Sequence, residues 1–331
     1  MSPITRRRFI AGAVCSFAAP RAGEAQQAGK VARIGYMVLS PLTDPPSPER
    51  AAFLAGLRAL GYIEGKSIII EYRSAKSNPE LFHDLAEDLV RLKVDVIVTA
   101  GGLEAPAAAK EATATIPIVV VAGDPVGAGL AASLARPGGN VTGLSFLAPE
   151  LGGKRLQLLK EAVPGIGRVA VLWNPGASHS GALEWQATEA AARALGVTLR
   201  SFEFRGGEDL AKALAAISRE RADALTLLSD PFTSGYREIV ADFARKNRLP
   251  TIFGTSEYVR AGGLMSYAPN APELFRRAAV YVDRILKGAK PGDLPIEQPK
   301  DFELVINLKT AKVLGLTLPP SLVLRADRII E

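Results

Sequence analysis

Arg33-Ile-Gly-Tyr-Met37 opens the first predicted strand of this chain, and Arg168-Val-Ala-Val-Leu172 matches it in the second half. Each strand leads into a predicted amphipathic helix, and the two helices close on Ala59-Leu60-Gly61 and Ala194-Leu195-Gly196. The distance from strand to closing glycine is the same in both halves. A repeat of this length is longer than a small solenoid unit. The chain is therefore predicted to contain two copies of one larger α/β unit.

Later segments keep the same order in both halves. Apolar runs of strand length alternate with helical periodicity, which is typical of β-α-β units with parallel strands. Ile116–Ala122 is apolar throughout, as expected of a strand buried on both faces. The sequence thus predicts two Rossmann-like lobes, each with a parallel sheet covered by helices on both faces. The further matched pairs are Asp95-Val-Ile-Val98 with Asp223-Ala-Leu-Thr226, Ile116-Pro117-Ile118 with Leu249-Pro250-Thr251, and Gly138-Gly139-Asn140-Val141 with Gly262-Gly263-Leu264-Met265.

The N-terminus carries an export pattern. Thr5-Arg6-Arg7-Arg8-Phe9-Ile10 has the paired arginines Arg6 and Arg7, one free position, Phe and an aliphatic residue, as twin-arginine signals do. The apolar run that follows, Phe9–Ala19, is too short to cross a hydrocarbon core of about 30 Å as a helix. Small residues then lead to a peptidase site after Ala25. We therefore expect residues 1–25 to be a removable signal peptide and the mature protein to be periplasmic.

Charge and composition exclude several classes of function. The 331-residue chain has a formal charge of +6, and the four arginines and one glutamate of residues 1–25 leave +3 on the mature part. Such a mild, scattered charge does not predict a nucleic-acid partner. The only cysteine, Cys15, lies in the signal, and the two histidines, His83 and His179, are far apart in sequence. We therefore expect no disulfide, thiolate nucleophile or metal site.

No cofactor is expected either. Gly127-Ala128-Gly129-Leu130-Ala131-Ala132 matches the G-x-G-x-x-A dinucleotide fingerprint, but it does not follow the first strand of a β-α-β unit. Asp124 and Pro125 also intervene after the preceding strand, and an aspartate there would repel a pyrophosphate. No Walker loop or G-x-S-x-G motif is present.

The candidate binding site lies at the carboxyl ends of the predicted strands, where ligands bind in open parallel sheets. Two lobes facing each other across a hinge would give a cleft with two rims. The loops in question are rich in Gly, Ser, Thr, Asp and Pro, which strand-to-helix turns also require. The candidate ligand-binding residues are Ser40, Thr99, Gly101, Gly102 and Asp124 in the first lobe, with Asn174, Ser229, Asp230, Phe232, Ser256 and Tyr258 in the second.

These candidates suggest different chemistry. The segment Thr99-Ala100-Gly101-Gly102 is the predicted anion site, because glycines let a ligand approach the backbone at the start of a helix. Asp124 and Asp230 are each either a seat for a cationic group or an N-cap of the following turn. Phe232 and Tyr258 are candidate aromatic walls.

Several motifs resemble one known family. The resemblance extends over about residues 31–331 and is to the bacterial ABC transporter substrate-binding protein family that includes tryptophan- and tyrosine-binding members. The segments that carry it are Gly61-Tyr-Ile-Glu-Gly65, Glu71-Tyr72-Arg73, Asp95-Val-Ile-Val98, Gly123-Asp124-Pro125-Val126, Leu134-Ala-Arg-Pro-Gly-Gly-Asn-Val-Thr-Gly143, Ala261-Gly-Gly-Leu-Met-Ser-Tyr267, Glu303-Leu-Val-Ile-Asn307 and Leu318-Pro-Pro-Ser321.

The resemblance implies a periplasmic-binding-protein fold of type I kind, with three crossovers at a hinge and no catalysis. It also implies a small-molecule solute, such as an amino acid or a similar small organic solute, that is delivered to the permease and ATPase subunits of an importer. The alternatives are an enzyme on the same scaffold and the ligand-sensing component of a signalling system. The expected divisions are a first lobe at 31–143 that a C-terminal crossover completes, a crossover with linker helix at 144–165, a second lobe at 166–262, and crossovers, C-terminal helices and a return segment at 263–331.

Overall fold

The two halves of the repeat form two separate sheets. The computed structural model describes residues 31–331, except 101, 147–149, 176–178 and 230. Residues 32–331 make up one compact unit that contains both sheets. Within the described part of the chain, no helix has the length and apolar character needed to cross a membrane.

The first sheet has five strands, all parallel, in the order β2-β1-β3-β4-β5. Its strands are β1 (Ala32–Val38), β2 (Ile68–Ser74), β3 (Val96–Ala100), β4 (Ile118–Ala122) and β5 (Val141–Ser145). The helices between them are α1 (Pro48–Ala59), α2 (Phe82–Arg91) and α3 (Glu104–Ala112).

The second sheet has seven strands in the order β12-β11-β10-β9-β8-β6-β7. Its strands are β6 (Arg168–Trp173), β7 (Thr198–Glu203), β8 (Ala224–Leu227), β9 (Thr251–Phe253), β10 (Met265–Pro269), β11 (Phe302–Asn307) and β12 (Arg328–Ile330). Only β10 and β11 pair in antiparallel fashion among these strands. The remaining helices are α4 (Glu150–Ala162), α5 (His179–Leu195), α6 (Gly207–Arg219), α7 (Arg237–Lys246), α8 (Ser256–Arg260), α9 (Ala271–Leu286), α10 (Leu308–Leu314) and α11 (Pro320–Val323).

The internal repeat is visible in both topology and hydrogen bonding. Strands β7-β6-β8-β9-β10 of the second sheet follow the order of β2-β1-β3-β4-β5 in the first. At the start of the first sheet, Asp95 Oδ2 accepts the N–H of Arg33 at 2.8 Å. At the equivalent point of the second, Asp223 Oδ2 accepts the N–H of Arg168 at 2.7 Å. The prediction of two matched α/β lobes is confirmed.

Helices cover both faces of each sheet. One core of the first lobe packs α1 and α9 against the strands, and the other packs α2 and α3. In the second lobe, one core includes residues of α4, α5, α10 and α11, and the other includes residues of α6, α7 and α8. Both sheets are thus buried on two sides, which explains why β3, β4 and β5 are entirely buried along their length.

The chain passes between the lobes three times. After β5 it enters α4, whose apolar face belongs to the second lobe. After β10 it returns as α9, which packs against α1 in the first lobe. The segment after α9 then lies along β5, where Ser145 N–H donates to Glu297 O at 2.8 Å, before the chain enters β11. Three passages match the three crossovers that the family resemblance implies.

Candidate functional site

Asp124 lies directly after β4, at the carboxyl edge of the first sheet. Its Oδ1 accepts the N–H groups of Val126 at 3.2 Å and Gly127 at 2.8 Å, so it closes the turn in the manner of an N-cap. The residue is only 7 % exposed. Among the residues that the structure describes, Oδ2 has no hydrogen-bond partner. The carboxylate therefore holds the loop with one oxygen and has the other available.

The neighbouring loop after β3 carries a carboxylate of its own. Gly102 has φ +102°, a left-handed conformation that favours glycine, and the side chain of Glu104 lies against it. Glu104 is the first residue of α3. A carboxylate at this helix start occupies the place where the sequence predicted an anion, and it would repel one. Thr99 is fully buried, and its hydroxyl has no partner within the described residues, while Gly101 lies outside them.

Ser40 is exposed at the same edge, next to a loop that sequence reasoning did not single out. The Ser40 carbonyl accepts the hydroxyl of Ser74 at 2.8 Å, and Ser77 N–H donates to Leu39 O at 2.8 Å. Lys76 and Ser77 both have positive φ, 50° and 67°, which is uncommon for residues other than glycine. An exposed lysine is thus held beside Ser40 at the edge of the first sheet.

The second lobe has a buried ion pair at its carboxyl edge that the sequence did not reveal. Arg155 of α4 and Glu184 of α5 are in contact, with side chains only 5 % and 7 % exposed. Arg155 Nε also donates to the Tyr267 carbonyl at 2.8 Å, and Glu184 Oε2 accepts the N–H of Ser229 at 3.0 Å. Burying two charges is costly unless they are paired and hydrogen-bonded, as they are here. The pair therefore ties both helices to the strand ends of the second sheet.

Gly254 brings the end of β9 against this pair. A Cβ at Gly254 would lie against Ser229 Oγ and 3.2 Å from Nη2 of Arg155. The site therefore has no space for a side chain at this position. Ser229, in contrast, is exposed to solvent. The structure thus brings one predicted residue, Ser229, together with the unpredicted residues Arg155, Glu184 and Gly254.

The remaining second-lobe candidates are placed differently. Asn174 and Ser256 are half-buried, Asn174 just after β6 and Ser256 in the first turn of α8. Tyr258 is 1 % exposed, stacks on Phe253 with ring centroids 4.6 Å apart, and donates its hydroxyl to Thr233 O at 2.7 Å. Tyr258 is therefore part of the core rather than of an open surface. Asp230 and the side chain of Phe232 lie outside the described residues.

A signal for the ion pair was present in the sequence. Gly152 and Gly153 are consecutive glycines inside α4, which destabilise a helix by about 1 kcal/mol each unless packing requires them. A Cβ on Gly152 would lie against Thr188 Oγ1 and 2.9 Å from Glu184 O, both on α5. The two glycines therefore indicate close contact between two helices. That contact brings Arg155 within reach of Glu184.

No metal site accompanies these groups in the described part of the chain, where no cluster of three His, Cys, Asp or Glu could hold an ion. Two surface cavities of about 40 and 210 Å³ lie beside α9, and the smaller is also lined by residues 297–301. Neither is lined by Asp124, Arg155 or Ser229.

Two matched α/β lobes joined by three passages, with polar loops at the carboxyl ends of both sheets, define a two-lobed solute-binding protein. The model of the family described as ABC transporter substrate binding protein matches residues 44–330. The chain belongs to this family and is a substrate-binding protein of the ABC transporter type.

Known proteins resemble the chain over most of its length. A tyrosine-binding protein of Clostridioides difficile (strain R20291) is 28 % identical over 282 residues, covering 84 % of this chain and 80 % of that protein. A conserved domain protein from Vibrio cholerae has a TM-score of 0.83 and 31 % identity, over 91 % of this chain and 100 % of that one. An ABC domain from Streptococcus pneumoniae in complex with L-Trp has a TM-score of 0.80 and 24 % identity, over 90 % and 100 % of the two chains.

Proposed function

We propose that the mature protein is a periplasmic receptor that binds a small organic solute between the carboxyl edges of its two sheets. It then delivers the solute to the permease and ATPase subunits of an importer. The observation that carries the proposal is the equivalence of the two edges. The same strand order places Asp124 at one edge and the Arg155–Glu184 pair with Ser229 at the other.

The solute class that fits best is an α-amino acid with an aromatic side chain. An amino acid carries an ammonium and a carboxylate, so it needs an acceptor and a donor at fixed positions. Oδ2 of Asp124 supplies the acceptor, and the buried carboxylate gains from a cationic partner. The tyrosine-binding relative supports testing aromatic amino acids first.

Export by the twin-arginine route follows from Arg6 and Arg7, with processing after Ala25. Residues 1–30 lie outside the described part of the chain, so the support is the sequence pattern. Membership of a family of substrate-binding proteins also favours a location outside the cytoplasmic membrane.

We expect binding without chemical change, and this separates the receptor from an enzyme on the same scaffold. The mature chain has no cysteine nucleophile, and its two histidines are far apart in sequence. A solute recovered unaltered after long incubation with stoichiometric protein supports the receptor. A new product in the chromatogram supports the enzyme.

Thermal-shift screening of the protein against the twenty L-amino acids and a set of small aromatic acids tests the ligand class. A bound solute at a hundredfold excess over Kd adds about 2.7 kcal/mol to the free energy of unfolding. We expect tyrosine or another aromatic amino acid to give the largest shift. A screen in which no amino acid raises the melting temperature contradicts the proposed solute class.

Two matched variants then test the position of the site. Asp124 and Asp223 each accept two backbone N–H groups, but Asp124 lies at the carboxyl edge and Asp223 at the amino edge. Replacing either by Ala should lower the free energy of unfolding by about 1 kcal/mol, as for a lost cap. Only Asp124→Ala should also lower the affinity for the solute, by about thirtyfold or more in calorimetric titration. Equal affinity in both variants removes Asp124 from the site.

A further inference from the structure

Arg155 is buried and paired, yet its guanidinium is not fully used by the protein. Nε donates to Tyr267 O and Nη1 contacts Glu184, which leaves Nη2. Within the described residues, Nη2 has no hydrogen-bond acceptor, although the side chain is only 5 % exposed. Nη2 is not one of the fully buried polar atoms that lack a partner among the described residues, so solvent reaches it, and an acceptor placed there by a ligand would form a charge-assisted hydrogen bond.

The surroundings of Nη2 open toward the carboxyl edge. Nη2 lies 3.2 Å from the point where a Cβ of Gly254 would stand, and Ser229 Oγ lies beside the same point. Gly254 does not have the left-handed φ that would by itself favour glycine, so the local requirement is for space. Because Ser229 is exposed, the two donors lie next to each other at an accessible strand end.

The chemistry of these two donors indicates which group of a ligand they would bind. A guanidinium and a hydroxyl both donate, and a carboxylate offers two acceptor oxygens with matching geometry. The anion site that the sequence predicted in the first lobe is unsuitable for a carboxylate, because Glu104 places a carboxylate of its own at the start of α3 beside Gly102. Both oxygens of Glu184 have a partner, one in Arg155 and the other in the Ser229 N–H, so Glu184 holds the guanidinium in place.

We propose that Nη2 of Arg155 and Oγ of Ser229 bind the carboxylate of the solute, with Glu184 as a positioning residue. This inference rests on the proposed function, since it names the second-lobe contact of the same amino acid whose ammonium faces Asp124. It fixes the orientation of the solute: ammonium toward the first lobe and carboxylate toward the second.

Calorimetric titration with L-tyrosine, L-tyrosinamide and tyramine tests this orientation, because the three probes differ only at the carboxylate. The wild-type protein should bind tyramine at least about thirtyfold more weakly than tyrosine, with tyrosinamide between them. Ser229→Ala should lower the affinity for tyrosine by about tenfold to a hundredfold, as expected for a hydrogen bond to a charged group, and leave the affinity for tyramine unchanged. The control Ser218→Ala, at the far end of α6, should change neither.

Glu184→Gln separates positioning from simple structural support. If Glu184 positions Arg155, the variant should bind tyrosine more weakly while its affinity for tyramine stays the same. A purely structural role predicts a lower melting temperature with an unchanged ratio of the two affinities. That result would remove Glu184 from the proposal.

The outcomes distinguish this inference from the proposed function. Equal affinity of the wild-type protein for tyrosine and tyramine, or equal weakening of both by Ser229→Ala, overturns the carboxylate contact and leaves the receptor intact. Should another amino acid bind in place of tyrosine, the same comparison is made with its own amide and decarboxylated amine. Failure of every amino acid to bind overturns this inference together with the proposed solute class.

Discussion

Replacing Gly56 by Ala should destabilise the protein, although the same change in an exposed helix would stabilise it. Gly56 lies inside α1, where alanine is favoured over glycine by about 1 kcal/mol. A Cβ there would stand 2.8 Å from Arg276 O and 2.9 Å from Ala279 Cβ, both on α9. Neither atom is the end of a flexible side chain, so overpacking should cost about 2 kcal/mol, within the usual range of about 1–3. The expected net loss is about 1 kcal/mol.

Urea unfolding of the variant and of a matched control measures this loss. Gly207 begins α6, and its nearest neighbour, a ring carbon of Tyr236, would stand 3.8 Å from an added Cβ, an ordinary contact. Gly207→Ala should therefore be neutral or slightly stabilising. A Gly56→Ala protein more stable than wild type by about 1 kcal/mol would show that α1 and α9 do not pack closely. The assignment of α9 to the first lobe would then fail.

Three further predictions concern acid stability, motion and export. Burial alone would raise the pKa of Asp223, but the N–H groups of Gly167 and Arg168 and the Arg168 charge hold it below its ordinary value. Its contribution to stability is thus present above the unfolded-state pKa and is lost as pH falls through the folded-state pKa. Asp223→Asn should therefore flatten the fall in unfolding free energy between pH about 5 and about 2, and an unchanged fall over this acid range would contradict the lowered pKa. A confirmed solute should reduce the radius of gyration in solution scattering as the lobes close, and an unchanged curve would argue against closure on binding. Replacing Arg6 and Arg7 together by Lys should leave unprocessed precursor in the cytoplasm, whereas normal export of that variant would exclude the twin-arginine route.

The architecture was largely predictable because it repeats. A motif such as Asp95-Val-Ile-Val98 recurs as Asp223-Ala-Leu-Thr226, and both aspartates accept a backbone N–H near the start of the adjacent strand. Local apolar periodicity is enough to place such strands. It does not show which sheet a distant helix covers. A C-terminal crossover was expected to complete the first lobe, but the packing of α9 on α1 was not predicted. The antiparallel pairing of β10 with β11 was likewise not apparent, since the apolar pattern of a buried strand is the same in both directions.

The site was less predictable, because its polar contacts join residues that are distant in sequence. Arg155 and Glu184 lie on different helices, and only the close approach of α4 and α5 brings them together. Tyr258 illustrates the converse. Its position after a strand suggested an aromatic wall, but the ring packs on Phe253 and the hydroxyl is bonded to Thr233 O. Turn-forming residues mark the carboxyl edge of a sheet, whereas the packing of the helices decides which charged side chains lie there.

Hydrogen exchange of the protein with and without its solute tests the central claim, that the solute is held between the carboxyl edges of both sheets. We expect slower exchange in peptides around Asp124 in the first lobe and around Ser229 and Gly254 in the second. Peptides at the amino edges, around Asp95 and Asp223, should exchange at unchanged rates. Protection confined to one lobe, or protection at the amino edges, would contradict a site formed by the two carboxyl edges.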